Sequence, residues 1–292
     1  MSSPRPVSRA TVDDPTEQVY VFAYGSLINT LSRRKTVGEG EGEGHDGGCA
    51  RLAFLQTEPF GYRRAWCFRS TTGFTALGLI PRDEVARLGG TDSSYSGGDG
   101  DNLPICGVLF AVPTAAALVD LDARETGYNR VAVPSQHVLL GACKTVTVIN
   151  ATIWVYVPSS EATAAPSESY PILQSYVDVC LRGCLEWGGA ALAINFLRST
   201  FLWTTFFLND VPFSRRPWLH RPDYLQIDRL LEECGDWVHF QERQHPEDYS
   251  SRSAWMRSLI RRLNLTSSPP PSWPAQAFGI WPSSRYIWCT TT

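Results

Sequence analysis

The sequence predicts an α+β fold, and three observations point to it. Apolar runs rich in β-branched and aromatic residues recur at 19–22, 50–56, 61–69, 74–81, 105–112 and 144–157, the pattern of strands. Residues 113–125 and 170–187 instead carry helix formers and apolar residues at helical spacing. Gly, Pro, Asn and Asp punctuate the segments between them. With 292 residues, 43% of them hydrophobic, the chain can bury one large core or two modest ones.

Residues 1–17 are polar and rich in Pro and Ser, and are expected to be disordered. The strand at 19–22 runs into Tyr24-Gly25-Ser26-Leu27. A glycine there permits a sharp turn and close approach of a ligand. The N–H groups that follow can face an anion or a carbonyl oxygen. An ordinary strand-ending turn would look the same. Residues 32–36 are expected as a solvated loop or short helix. Residues 38–48 alternate Glu with Gly and then add His45 and Asp46, a surface insertion unable to bury a core. Strands at 50–56 and 61–69 flank Glu58-Pro59, a third follows at 74–81, and 82–88 suits a helical turn. A second polar insertion spans 89–101, before the strand at 105–112.

Pro113, the alanines after it, Leu118 and Leu121 predict a helix that reaches Glu125 and stops at Gly127. Strands are expected at 131–133 and over 144–157, with a loop at 159–169. In the 170–187 helix, Ile172, Leu173, Tyr176, Cys180, Cys184 and Leu185 share a face, and Gly188-Gly189 ends it. The most apolar long stretch, 190–208, is interrupted by Asn195 and Arg198. A charge near the middle of a spanning helix costs about 2.5–3.5 kcal/mol, so a buried helix and strand are expected there and no membrane span. A further helix is expected at 224–233 and a Pro-rich tail at 266–274.

Net charge is −3 and the Lys and Arg are scattered, which argues against nucleic acid and anionic membrane as partners. Eight Cys without a Cys-x-x-Cys pair, and a polar N-terminus without a secretory core, point to reduced thiols and a cytoplasmic protein. Cys180 and Cys184 lie i, i+4 but lack a His or carboxylate at metal-ligand spacing, so they read as buried small hydrophobes. Five His show no metal-binding spacing, and ten Trp are assigned mainly to the core.

Four stretches occur in a telling order. They are Tyr24-Gly25-Ser26-Leu27; Gly61-Tyr62-Arg63-Arg64-Ala65-Trp66 with Ala76-Leu77-Gly78-Leu79-Ile80-Pro81; Cys106-Gly107-Val108-Leu109-Phe110; and Asp122-Ala123-Arg124-Glu125-Thr126-Gly127-Tyr128. Over 19–216 they resemble the γ-glutamylcyclotransferase-like superfamily, especially its ChaC-type and AIG2-like branch. The resemblance implies a mixed β-barrel flanked by helices at 18–216, interrupted by the insertions at 38–48 and 89–101. Residues 217–292 would then be a C-terminal helical extension and Pro-rich tail. It also implies an enzyme with no metal or organic cofactor. Such an enzyme cyclises the γ-glutamyl group of a peptide or amine, glutathione among them, to 5-oxoproline. The expected partner is that small-molecule γ-glutamyl substrate. Asn29 and Thr30 depart from the branch, which places an aromatic residue soon after the signature.

Leu118, Leu121 and Glu125 fall on one helix face, so leucines in the core would carry Glu125 inward, where burial raises a carboxyl pKa. By the resemblance, Glu125 is the general acid and base, and Tyr24, Gly25, Ser26, Leu27 and Tyr128 bind substrate. A purely structural Glu125, paired with Arg63, Arg64 or Arg130, is the alternative. Tyr62 and Arg64 are secondary candidates for a substrate carboxylate. Two other classes stay open: a serine hydrolase using Ser26 and His137, though Gly-x-Ser-x-Gly is absent, and a non-catalytic binding module.

Overall fold

Strand β1 (Val19–Ala23) lies inside a six-stranded sheet with Val21 and Phe22 covered, as its unbroken apolar run requires. The computed structural model describes residues 18–37, 50–90, 103–141, 151–211 and 222–234. Further strands are β2 (Arg51–Leu55), β3 (Tyr62–Arg69), β4 (Thr75–Pro81), β5 (Ile105–Ala111), β6 (Tyr128–Val133), β7 (Val138–Leu140) and β8 (Thr152–Pro158). β5 pairs antiparallel on one side of β1 and β8 pairs parallel on the other, in the order β6-β8-β1-β5-β2-β7. The segments expected at 19–22 and 105–112, and the described part of 144–157, therefore share one sheet. Residues 38–48, 91–101, 142–150 and 266–274, which carry other expectations, lie outside the described residues.

A second sheet is built on the β3–β4 hairpin. The short strands β9 (Ile172–Leu173), β10 (Thr200–Phe201) and β11 (Phe207–Leu208) complete the order β10-β3-β4-β9-β11. Phe22, Leu55, Trp66, Leu77 and Leu79 belong to one buried cluster, so the two sheets share a core. The expected α+β class holds.

The helices are α1 (Thr30–Val37), α2 (Thr57–Phe60), α3 (Arg82–Arg87), α4 (Ala115–Arg124), α5 (Gln174–Arg198) and α6 (Pro222–Glu233). α4 starts after Thr114 rather than at Pro113, because the Thr114 hydroxyl accepts the Ala117 N–H at 3.1 Å and caps the helix. Ile172 and Leu173 are not on α5 as expected. Ile172 donates its N–H to Phe206 O at 2.8 Å, and sheet pairing outweighs helical spacing there. The buried face of α5 is Val177, Cys180, Leu181 and Cys184, and resumes at Leu192, Ala193, Phe196 and Leu197. Gly188 (φ −155°, ψ 16°) and Gly189 (φ 61°, ψ −156°) leave the helical backbone and end the first helical stretch as expected, and a second stretch follows directly at a kink.

Of the two expectations for 32–36, a solvated loop or a short helix, the helix holds as α1, but Arg33 is buried rather than solvated. α6, beyond the expected boundary at 216, joins the same core through Ile227, Leu230 and Leu231. Its Asp223 pairs with Arg182 of α5 at 2.9 Å. The described cysteines, Cys67, Cys106, Cys180, Cys184 and Cys234, are free and buried. No helix among the described residues is long and apolar enough to cross a membrane.

Candidate active site

Two chain reversals meet at one spot. The first follows β1, where a 3-10 turn (Ser26–Ile28) leads into α1. Three side chains hold this turn by its carbonyls: Arg64 Nη1 on Tyr24 O at 3.2 Å, Arg33 Nη1 on Leu27 O at 2.9 Å, and Trp187 Nε1 on Ile28 O at 3.0 Å. The second joins α4 to β6. Glu125 ends the helix, Gly127 turns the chain with φ +92°, and Tyr128 opens the strand. That φ lies in the left-handed region, which glycine enters without steric penalty. Leu118 and Leu121 are buried on the inward face of α4, and Glu125 follows them inward.

A cavity of about 350 Å³, counting its open mouth, lies between the two reversals. Tyr24, Gly25, Ser26, Leu27, Glu125 and Tyr128 all line it, so the site residues expected from the sequence converge. Leu77, Tyr156 and Tyr176 line it as well and were not anticipated. Gly25 is not in the left-handed region (φ −131°). Its missing side chain leaves room for Tyr176, whose Oη is 3.2 Å from where a Cβ would sit.

Three of the cavity's four phenols have already spent their protons on the protein. Tyr24 Oη donates to Tyr156 O at 2.6 Å, and Tyr128 Oη to Leu77 O at 2.7 Å. Tyr156 Oη donates to Asp122 Oδ1 at 2.8 Å, and Arg130 holds that carboxylate at 2.9 Å. A phenol has one O–H, so each keeps only acceptor lone pairs for a ligand. Burial raises the Tyr24 and Tyr128 pKa values well above the ordinary phenol, so both stay neutral. Acceptors without added charge, gathered around one carboxyl group, suit a ligand that donates several hydrogen bonds.

The Glu125 side chain is 17% exposed. Burial raises its pKa above the ordinary carboxylic acid, and the neighbouring Arg124 guanidinium offsets part of that rise. Arg124 Nε lies 3.3 Å from Glu125 Oε1. Its Nη1 donates to Ser32 O at 2.7 Å and to Thr36 Oγ1, and its Nη2 to Ser26 Oγ at 3.3 Å and Ser32 Oγ at 3.0 Å. One guanidinium thus ties the carboxylate to the signature turn and to α1, a role that its place beside Glu125 in the sequence did not reveal. Arg124→Gln is expected to raise the Glu125 pKa further, because removing the cation leaves burial unopposed. Carboxyl-carbon NMR titration reads this, and an unmoved Glu125 titration in a variant shown to fold by thermal unfolding would contradict the link.

The alternative partners of Glu125 are engaged elsewhere. Arg63 bonds Glu58 at 2.7 Å, Arg130 bonds Asp122, and Arg64 is sealed in the core. Neither Tyr62 nor Arg64 lines the cavity, which removes them as binders of a substrate carboxylate. Arg64 donates to Thr200 Oγ1, Tyr24 O, Cys106 O, Phe196 O and Ser199 Oγ, which exhausts its five N–H groups. Burial pushes the Cys106 thiol up, but a hydrogen bond with Cys184 and the Arg64 charge outweigh it and hold the pKa at about 7. His137 precedes β7, three strands from β1 and so roughly 14 Å away across the sheet. Ser26 and His137 therefore form no nucleophile–base pair.

No protein-family model matches the chain, and no curated protein matches it in sequence. Distant likenesses to solved structures exist. One titled "Gamma-glutamyl cyclotransferase" is 16% identical, with a TM-score of 0.37, over 59% of this chain and 81% of that one. A yeast γ-glutamyl cyclotransferase described as specific to glutathione is 17% identical, with a TM-score of 0.36, over 76% of this chain and 97% of that one. YkqA from Bacillus subtilis is 19% identical, with a TM-score of 0.38, over 60% of this chain and 51% of that one. Each TM-score is below 0.5, so the functional assignment rests on the site's own chemistry.

Proposed function

We propose that the protein is a γ-glutamylcyclotransferase-type enzyme that closes a substrate's γ-glutamyl group to 5-oxoproline, with Glu125 as the proton shuttle. The observation that carries this is a half-buried carboxyl of raised pKa, in a cavity of acceptor phenols, facing the turn Gly25-Ser26-Leu27. A primary ammonium fits that surround, since it brings three N–H donors and no acceptor. The mixed β-barrel, the ChaC-type kinship and a cytoplasmic setting belong to the same proposal.

In the first half-reaction the Glu125 carboxylate takes a proton from the substrate's α-ammonium. The freed amine attacks the γ-carbonyl carbon, forming the ring C–N bond and a tetrahedral oxyanion. Because nucleophile and electrophile share one molecule, proximity comes with the substrate. The enzyme is left with proton movement and charge stabilisation. Ser26 and Leu27 open a helical turn, so their N–H groups have no partner within it and are available to an oxyanion or to the substrate's α-carboxylate. In the second half protonated Glu125 returns its proton to the departing nitrogen as the oxyanion collapses and the original C–N bond breaks. The ring nitrogen gives up its surplus proton to the re-ionised Glu125, which passes it to solvent and leaves the neutral lactam. Tyr24 and Tyr128 receive the ammonium hydrogens and fix the amine's direction. No step calls for a metal or an organic cofactor.

The test is a panel of γ-glutamyl amines and peptides, each with its Nα-acetyl counterpart, assayed for 5-oxoproline. Release is expected from free-amine compounds and not from the acetylated ones, whose nitrogen cannot attack. A panel with no release, or equal turnover of acetylated substrates, would contradict the proposal.

A further inference from the structure

Beyond Glu125 the site opens into an outer chamber. It spans about 820 Å³ with its open mouth, and it shares Ser26, Glu125, Tyr128 and Tyr176 with the inner cavity. If the γ-glutamyl group occupies the inner cavity, the departing amine projects into this chamber. Two aromatic pairs form its walls: Phe68 against Tyr128, ring centres 4.0 Å apart, and Phe74 against Tyr176, 5.6 Å apart. Ser70, Thr71 and Thr126 add neutral hydroxyl groups.

The chamber offers no available cation among the described residues. Its one basic side chain is Arg124, whose four Nη hydrogens are bonded to Ser32, Thr36 and Ser26 and whose Nε is ion-paired with Glu125 at 3.3 Å. Arg69, next to the lining Ser70, lies over the Tyr170 ring at 4.8 Å and does not line the chamber. A carboxylate on the departing amine would enter an aromatic space facing the Glu125 carboxylate, where the Arg124 donors are already committed and cannot replace its water. An aromatic ring there would stack on the walls.

We infer that the outer chamber is a leaving-group subsite selecting γ-glutamyl derivatives of uncharged aromatic amines over those whose amine bears a carboxylate. This rests on the proposed cyclisation and narrows its substrate class. The decisive pair is γ-glutamylphenethylamide and γ-glutamylphenylalanine, which differ only by the carboxylate. The amide is expected to show a kcat/KM about tenfold or more above the acid, the penalty of an unpaired charge. Thr71→Arg, at an exposed lining position, should close that gap by raising kcat/KM for the acid, with folding checked by thermal unfolding. Equal or better turnover of the acid by the unaltered protein would overturn the inference and leave the cyclisation standing. Absence of 5-oxoproline from every γ-glutamyl compound would overturn both.

Discussion

Glu125→Gln is expected to lower 5-oxoproline release by about 10²–10⁴-fold, toward the upper end because one carboxyl serves both half-reactions. The amide keeps the shape and an oxygen acceptor for Arg124, whose Nε now sits 3.3 Å from Glu125 Oε1. It cannot take the ammonium proton. Stability should move the other way. Burial raises the Glu125 pKa in the folded state, so between the unfolded and folded values the folded protein binds more protons. Stability therefore falls as pH rises through that window, and the cost is fully present above the folded pKa. Glutamine carries no such cost. At neutral pH the variant should melt at or above the parent temperature, and the difference should vanish in acid. A purely structural glutamate predicts the reverse: a lower melting temperature with full turnover per folded molecule. Glu232→Gln, exposed on α6, is the control and should change neither quantity.

The largest stability effect is expected at Arg64. Arg64→Met removes the guanidinium donor from the Tyr24 and Cys106 carbonyls and leaves the Phe196 carbonyl to the Thr200 hydroxyl, which donates to it at 2.6 Å. Each carbonyl that loses its donor costs about 1–3 kcal/mol, so the loss should be about 2 kcal/mol or more. In a domain of this size that lowers the melting temperature by roughly 4–8 °C. Turnover of the folded fraction should also drop, because the Tyr24 carbonyl anchors the turn that faces Glu125. A displacement of about 1 Å there can cost roughly a hundredfold. Arg64→Lys keeps the charge but has fewer and differently directed donors, and should fall between the two. A melting temperature within about 2 °C of the parent would show that these bonds contribute little.

Much of this was legible in the sequence where local pattern and tertiary demand agree. In the 19–22 run Val21 and Phe22 are buried in the clusters on opposite faces of the sheet, with Val19 and Tyr20 partly covered, so uninterrupted apolarity marks it. Glu125 follows Leu118 and Leu121 on one helix face, and that spacing brings it inward. What stayed hidden depends on partners distant in the chain. Ile172 and Leu173 fit the helical spacing of α5, yet pair with Phe207 and Leu208. Tyr176 reads as another core position on that helix, and only the packing of α5 over the 3-10 turn brings its hydroxyl to Gly25. Arg33 sits in a basic run, Ser32-Arg33-Arg34-Lys35, that resembles a solvated face. It is buried because the Leu27 and Ile28 carbonyls need a donor and the Phe110 and Trp187 rings flank its guanidinium. Arg64 looked like a ligand for a substrate anion; its actual partners are three backbone carbonyls and two hydroxyls, up to 136 positions away in sequence.

The fate of the γ-carbonyl oxygen tests cyclisation most directly. A γ-glutamyl substrate turned over in ¹⁸O-labelled water should give 5-oxoproline carrying no label, because the attacking atom is the substrate's own nitrogen. Glutamate with ¹⁸O in its γ-carboxylate would mean that water, or a serine ester resolved by water, opens the bond, and would contradict the account at its centre.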